Sequence, residues 1–445
     1  MTWIGDDNVA LFTDLYELTM AASYFAHGLD HQATFDLFVR ALPAQRRFLV
    51  ACGIDDALDY LETVRFGPDA IGYLRSLGLF ADDFLGYLGA LRFTGTVWAV
   101  PEGEIVFGNE PLLEVTAPLI QAQLAETFLI NCVVSQSMIA SKAARVALAC
   151  AGRPFVDFSA RRDHGADAAL RGARAAVVGG AVGTSLVAAG QAFGLELSGT
   201  MAHAYVMTFD DERDAFRAYA RDFPDNAVLL IDTYATVEGA RNAAAVANEL
   251  RADGIHVRGV RLDSGDLVAL SREVRRILDD NGCGEVVIFA SGDLDEYRIT
   301  ELIAAGAPVD AFGVGTQLGT SGDAPSLGGV YKLVEDEDGP KIKLSEGKLT
   351  LPGRKQVHRA GGYDVVSLRA ETVAGSRPLL EPAMEAGVRV RPRGSVADAR
   401  ARCNQAVAAL PTRLLALQVP GEPYEVRSSP GLRALVDQLT EAHHG

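Results

Sequence analysis

Seven short apolar runs between Phe155 and Phe312 each end in a small cluster of Gly, Ser, Thr, Asp, Arg or His. The clusters read DFSARR (Asp157 to Arg162), GTS (Gly183 to Ser185), SGTMAH (Ser198 to His203), IDTY (Ile231 to Tyr234), RLDSGD (Arg261 to Asp266), ASGD (Ala290 to Asp293) and GVGT (Gly313 to Thr316). Ala/Arg/Glu-rich stretches of helical composition separate them. Strands alternating with helices predict a parallel sheet, and polar tips at the carboxyl end of every strand predict its closure into a β/α barrel. Closure would carry seven clusters distant in sequence onto one rim.

At 445 residues the chain is too long for one core and predicts at least two domains, for which its 49% apolar content suffices. Residues 1–125 read as a separate α/β module, with a helical opening (Leu11 to Ala26), a strand in ATFDLFVRALP, a helix in GIDDALDYLETV and short strands from FTGTVWAV to LLEVTAPL. The barrel domain is expected over 126–335, entered by a helix running from about Ile120 to Ala151. Residues 336–445 begin with alternating segments joined by Asp-Gly and Glu-Gly turns, end in a helix, and are expected to pack back on the first module.

The charge balance excludes several partners. With 58 acidic against 41 basic residues the formal charge is −17, which argues against nucleic acid and anionic membrane surfaces. An anionic ligand must then be gripped by local arginines. The five cysteines show no CxxC spacing and read as reduced core residues of a cytoplasmic protein. The N-terminus is acidic where a secretion signal is basic. Ala175 to Leu195 holds no charge over the length of a membrane span, but its five glycines and polar residues suit a strand, loop and helix start better.

On the expected rim, ASGD and GVGT are glycine-bearing turns after late strands, the place where barrels offer backbone N–H groups to phosphate. Glycines also simply make tight turns, and no GxxxxGK[ST] motif is present. Arg261 and Asp263 alternate along a strand end and so face one side, suited to a phosphorylated sugar or to a structural salt bridge. Arg161 or Arg162 can bind a carboxylate bidentately. His203 suits a general base, a phosphoryl acceptor or a structural hydrogen bond, with His164 as an alternative and Asp232 as the expected orienter of the imidazole.

With these residues in hand the sequence closely resembles the nicotinate phosphoribosyltransferases. The likeness lies in TDLYELTMA, FDLFVRALP, PEGEIVFGNEPLLEV, ARRDHG, GTSLVAAG, SGTMAHAYV, LLIDTYATVEGARNA, GVRLDSGDL and FGVGTQLGTS with VYKLV, in this order over almost the whole chain. The resemblance implies a type II phosphoribosyltransferase-like α/β fold: an irregular seven-stranded β/α barrel with an additional α/β module. It also implies a homodimer with shared sites, and nicotinate, phosphoribosyl pyrophosphate, ATP and Mg2+ as the small-molecule ligands.

By the same resemblance His203 is the histidine that ATP phosphorylates, with Asp232 as its partner. Arg161 anchors the nicotinate carboxylate, and Tyr16 stacks on the pyridine ring from the neighbouring subunit. Arg261 and Asp263 contact the ribose phosphate; Gly292, Asp293, Gly315 and Thr316 form the phosphate and ribose cradle; Arg40 lies on the pyrophosphate side. Ser185 stands where nicotinamide-using relatives carry Asp, and a neutral hydroxyl favours the acid. Ser159-Ala160 and Ala235 depart from the family pattern, which has Gly-Leu and Asp there. Quinolinate or nicotinamide transfer, or a silent nucleotide-binding paralogue, are the alternatives.

Overall fold

The computed structural model describes residues 4–5, 7–345, 350–417 and 422–444, with residues 443 and 444 described by backbone alone. The chain divides into two compact units. The first comprises residues 1–141, 326–416 and 420–445, and the second 142–325 with 417–419. These divisions fall at Ser141/Lys142 and Pro325/Ser326, where the sequence reading places 125/126 and 335/336.

The first unit is built on a seven-stranded antiparallel sheet whose inner strand, Gln32–Val39, pairs with Pro111–Pro118 on one side and Gly329–Asp336 on the other. Being covered on both faces, Gln32–Val39 is buried along nearly its whole length. Leu37, Leu113, Val115 and Ala117 have no exposure, and each such aliphatic side chain of Leu or Val size contributes about 1.5 to 3 kcal/mol by leaving water. A four-stranded sheet around Lys355–Arg359 and Tyr363–Leu368 completes this unit. The two-residue turn Glu337-Asp338 joins Gly329–Asp336 to Gly339–Pro340, with Gly339 of the expected Asp-Gly turn opening the return strand; the expected Glu346-Gly347 turn lies outside the described residues.

The second unit carries the parallel sheet. Five strands run in the order Phe155–Asp157, Ala311–Val314, Val287–Ala290, Gly259–Leu262, Val228–Leu230. The GTS and LELS segments add to its other edge only as single bridges, Asp157 to Thr184 and Thr184 to Leu197. Gly183, Gly194 and Gly199 flank these bridges and weaken any longer ladder. Between the Leu197 segment and Val228–Leu230 no strand pairing occurs among the described residues; the Asn226 side-chain amide donates to the Gly199 carbonyl at 2.9 Å instead. That is the irregularity of the barrel.

Helices follow the strands. Asp266 caps Leu267–Asp280 by accepting from the amides of Val268 and Ala269, and Asp295 caps Glu296–Ala304 by accepting from Arg298. Such caps stabilise by about 1 kcal/mol each. The Ala175 to Leu195 stretch forms the end of one helix, a bridge and a short second helix, and no described helix is long and apolar enough to cross a membrane.

Candidate active site

At the carboxyl end of Gly259–Leu262, Arg261 and Asp263 meet as the alternation predicts, with the Arg261 guanidinium donating to Asp263 Oδ1 at 2.7 Å. Arg261 also donates to the hydroxyls of Ser291 (2.8 Å) and Thr200 (2.9 Å), and stands 5.6 Å over the Phe158 ring. Ser291 in turn donates to Asp263 at 2.6 Å. Burial alone would raise the Asp263 carboxyl, but Ser291, Arg261 and the nearby His203 outweigh it and hold it below the ordinary value. Asp263 is therefore an anion at neutral pH.

His203 opens the short helix His203–Met207. Its Nδ1 lies 3.1 Å from the Thr233 hydroxyl and its Nε2 3.9 Å from Asp263 Oδ2, with the side chain 41% exposed. Asp232 is not the orienter. Its carboxylate turns to the neighbouring strand end, where it accepts from the Asp263 amide (2.9 Å) and the Ser264 hydroxyl (2.6 Å), two donors that a loop after a parallel strand leaves unpaired. Its other oxygen, Oδ1, is buried without a hydrogen-bond partner.

An open cavity of about 440 Å³ lies beside this pair, lined by Asp263, Ser264, Gly265, Gly292, Asp293 and Arg298 among others. Gly292 is required here: its φ is +89°, and a Cβ would stand 2.0 Å from the Asp263 carbonyl oxygen. Asp293 follows with φ +47°. The backbone can therefore approach a ligand closely at this turn. Gly315 and exposed Thr316 begin the next turn, where Gly315 would bring a Cβ to 3.2 Å from the Phe158 carbonyl oxygen. A cavity of about 490 Å³ in the first unit is lined by Glu102, Glu104, Arg377, Arg391 and Arg402, but these arginines already bind carbonyls or carboxylates.

On the other side of the sheet order, Asp157 ties two turns together. Its carboxylate accepts from the Ser159 amide (3.0 Å) and the Thr184 hydroxyl (2.8 Å), and its carbonyl accepts from the Ser185 amide (3.0 Å). Burial pushes this carboxyl up against those hydrogen bonds. The Ser185 side chain is exposed, as are Arg161, Arg162 and His164. Neither the Arg161 nor the Arg162 guanidinium has a partner among the described residues, so both remain open to an anion.

Contacts thus link His203, Asp232, Arg261, Asp263 and Gly292 directly, while Arg161 and Ser185 sit on the adjoining turns of Phe158 and Asp157. Tyr16 (46% exposed, on the helix Leu15–Ala26) and Arg40 (stacked 5.6 Å over Phe38) belong to the first unit. Thr233, Ser291, Thr200, Asp157 and Phe158 escape the sequence reading; each lies inside a cluster it singles out or next to one, but only loop geometry selects them.

Residues 11–134 match the nicotinate phosphoribosyltransferase (NAPRTase) N-terminal domain, and residues 154–332 match the nicotinate phosphoribosyltransferase (NAPRTase) family. The nicotinate phosphoribosyltransferase pncB2 of Mycobacterium tuberculosis is 46% identical over 98% of this chain and 94% of that protein. The chain belongs to the nicotinate phosphoribosyltransferase family. Another similar member, from Bacillus subtilis, is 45% identical over 80% of this chain and 74% of its own length. The crystal structure of human nicotinic acid phosphoribosyltransferase superposes with a TM-score of 0.86 at 30% identity, covering 96% of this chain and 99% of that one. The fold is therefore that of a nicotinate phosphoribosyltransferase.

Proposed function

We propose that this chain joins nicotinate to phosphoribosyl pyrophosphate, in the salvage route to NAD, with ATP hydrolysis coupled through a phosphohistidine at His203. The observation that carries this reading is the His203 and Asp263 pair beside a cavity whose wall is the Gly292 turn. The nicotinate ring nitrogen forms a bond to C1 of the sugar as the bond from C1 to the pyrophosphate oxygen breaks, pyrophosphate leaving with the electron pair. Positive charge develops on the sugar, and the ionised Asp263 is placed to stabilise it.

Arg161 holds the nicotinate carboxylate, and the half-buried Phe158 ring offers an apolar face to the pyridine. Ser185 places no carboxylate there to accept the amide N–H of nicotinamide or to repel nicotinate. Arg40 serves the pyrophosphate. An imidazole nitrogen of His203 bonds to the terminal phosphorus of ATP with loss of ADP, and water later cleaves that bond to give phosphate.

Asp263 and Asp293 line the cavity with carboxylate oxygens, the donor type that suits magnesium, but no three such side chains among the described residues come together as a cage, so magnesium would arrive with the phosphoribosyl pyrophosphate. When bound, magnesium neutralises charge on the departing pyrophosphate. We assign the enzyme to a homodimer in which Tyr16 serves the partner's site, and to the cytoplasm, where its five buried free cysteines stay reduced.

The test is mononucleotide formation from nicotinate, nicotinamide and quinolinate, each with and without ATP. Product from nicotinate, raised by ATP, is expected. No product from nicotinate would overturn the reading.

A further inference from the structure

The helix Glu126–Ala149 carries only two basic residues, Lys142 and Arg145, one turn apart on one face. Both are almost fully buried within the second unit. The Lys142 ammonium donates to Glu296 Oε2 at 2.5 Å and reaches Asp323 Oδ1 at 2.8 Å. Arg145 donates to the other Glu296 oxygen at 2.9 Å and to the Tyr297 hydroxyl at 3.0 Å. Two cations face two carboxylates, so the quartet is neutral. Burying such a set rarely adds stability over an apolar one of the same volume, and its use is better sought in geometry.

The two carboxylates come from separate places. Glu296 is the first residue of the helix that follows the Gly292–Asp295 turn. Asp323 lies in the turn that closes the segment begun by Gly315 and Thr316, where Ser321 takes a φ of +47° and bonds to Ala324 on both sides. One nitrogen atom therefore holds the segments that follow the last two parallel strands, and those are the segments bearing the two glycine turns. A compact ammonium with three donors can serve two carboxylates from different directions, whereas a planar guanidinium would favour one.

We infer that Lys142 is a positioning residue that sets the spacing between the Gly292 and Gly315 turns, so that both can close on one phosphorylated ligand. This rests on the phosphate-binding role given to those turns above. Lys142 itself touches no ligand in this scheme.

The double variant Lys142→Met/Asp323→Asn removes the clamp yet leaves the Arg145 and Glu296 pair neutral, and is expected to fold. Two measurements on the full chain read the effect: hydrogen exchange over 291–295 and 315–323, with 259–262 as the internal control, and calorimetric affinity for magnesium pyrophosphate. Exchange in both segments should rise about tenfold with the control unchanged, and the pyrophosphate dissociation constant should rise about tenfold. Absence of either effect overturns the inference. If the double variant does not fold, Asp323→Asn alone should speed exchange in 315–323 and leave 291–295 at the wild-type rate; equal exchange in both would overturn it. Should the wild type make no mononucleotide from nicotinate, the proposed function falls while the exchange comparison still decides the clamp.

Discussion

Nε2 of His203 stands 3.9 Å from Oδ2 of Asp263. With Nδ1 held at the Thr233 hydroxyl, the ring is fixed at one nitrogen and faces an ionised carboxylate with the other. Asn at position 203 keeps a polar group for Thr233 but has no nucleophilic nitrogen. His203→Asn should abolish ATP stimulation and nicotinate-dependent ATP hydrolysis while the melting temperature stays at the wild-type value. Unchanged coupling in a steady-state assay would remove His203 from its role.

Ser185 presents an exposed side chain while its backbone amide is fixed to the Asp157 carbonyl, so a substitution there changes chemistry without moving the turn. A carboxylate within about 4 Å of the nicotinate carboxylate costs roughly 1 to 4 kcal/mol, depending on how dry the site is. Ser185→Asp should therefore raise the KM for nicotinate tenfold or more and bring in measurable transfer to nicotinamide. A KM for nicotinate within twofold of the wild type would count against Ser185 as a specificity residue.

Glu17 is fully buried in the first unit, where its carboxylate accepts from the Thr13 hydroxyl at 2.5 Å and from Thr127. Burial outweighs these hydrogen bonds and raises its pKa to about 7. The folded value thus exceeds the unfolded one, so the protonated form is favoured by folding. Its stabilising contribution is complete below the unfolded value of 4.5 and is lost as pH rises to about 7. The span corresponds to roughly 3 kcal/mol. Chemical denaturation of Glu17→Gln should show a flatter decline between pH 5 and 8 than the wild type, and equal slopes would refute the assignment.

Tyr16 and His203 offer a test of shared sites. If Tyr16 serves the partner's site, Tyr16→Ala and His203→Asn homodimers are each impaired, but a mixed dimer has one intact site. Co-refolding equal amounts should restore about a quarter of wild-type activity, since half of the dimers are mixed and each holds one good site of two. No recovery above the sum of the parents would mean that Tyr16 acts in its own chain or not at all.

Much of the barrel was legible because parallel strands are buried on both faces and read as unbroken apolar runs, as in VVIFA and AFGV. The Thr184 and Leu197 segments read the same way, yet form single bridges, since pairing length depends on the partner edge and not on the run itself. Alternation along a strand foretold that Arg261 and Asp263 share a side. It did not extend to Asp232, which lies two residues past the strand end at Leu230 and whose direction is set by the donors of the neighbouring loop. The sequence singled out Asp263 and Asp293 and left Asp266 and Asp295 unassigned; the structure makes the latter two helix caps, and Asp295 lines the cavity as well. Lys142 was visible in principle as a lone ammonium in an apolar helix, but its two acceptors lie more than 150 residues away and required coordinates.

The seam between the Leu197 segment and Val228–Leu230 has a mechanical consequence. The loop that delivers His203 is tethered there by individual bonds, from Ser198 to Thr184, from Asn226 to Gly199 and from Arg261 to Thr200 and Met201. If His203 takes up and releases a phosphoryl group as proposed, it needs room to recoil. Mounting it beside an unlaced edge would let it swing by exchanging a few individual hydrogen bonds, with the longer ladders of the sheet left intact.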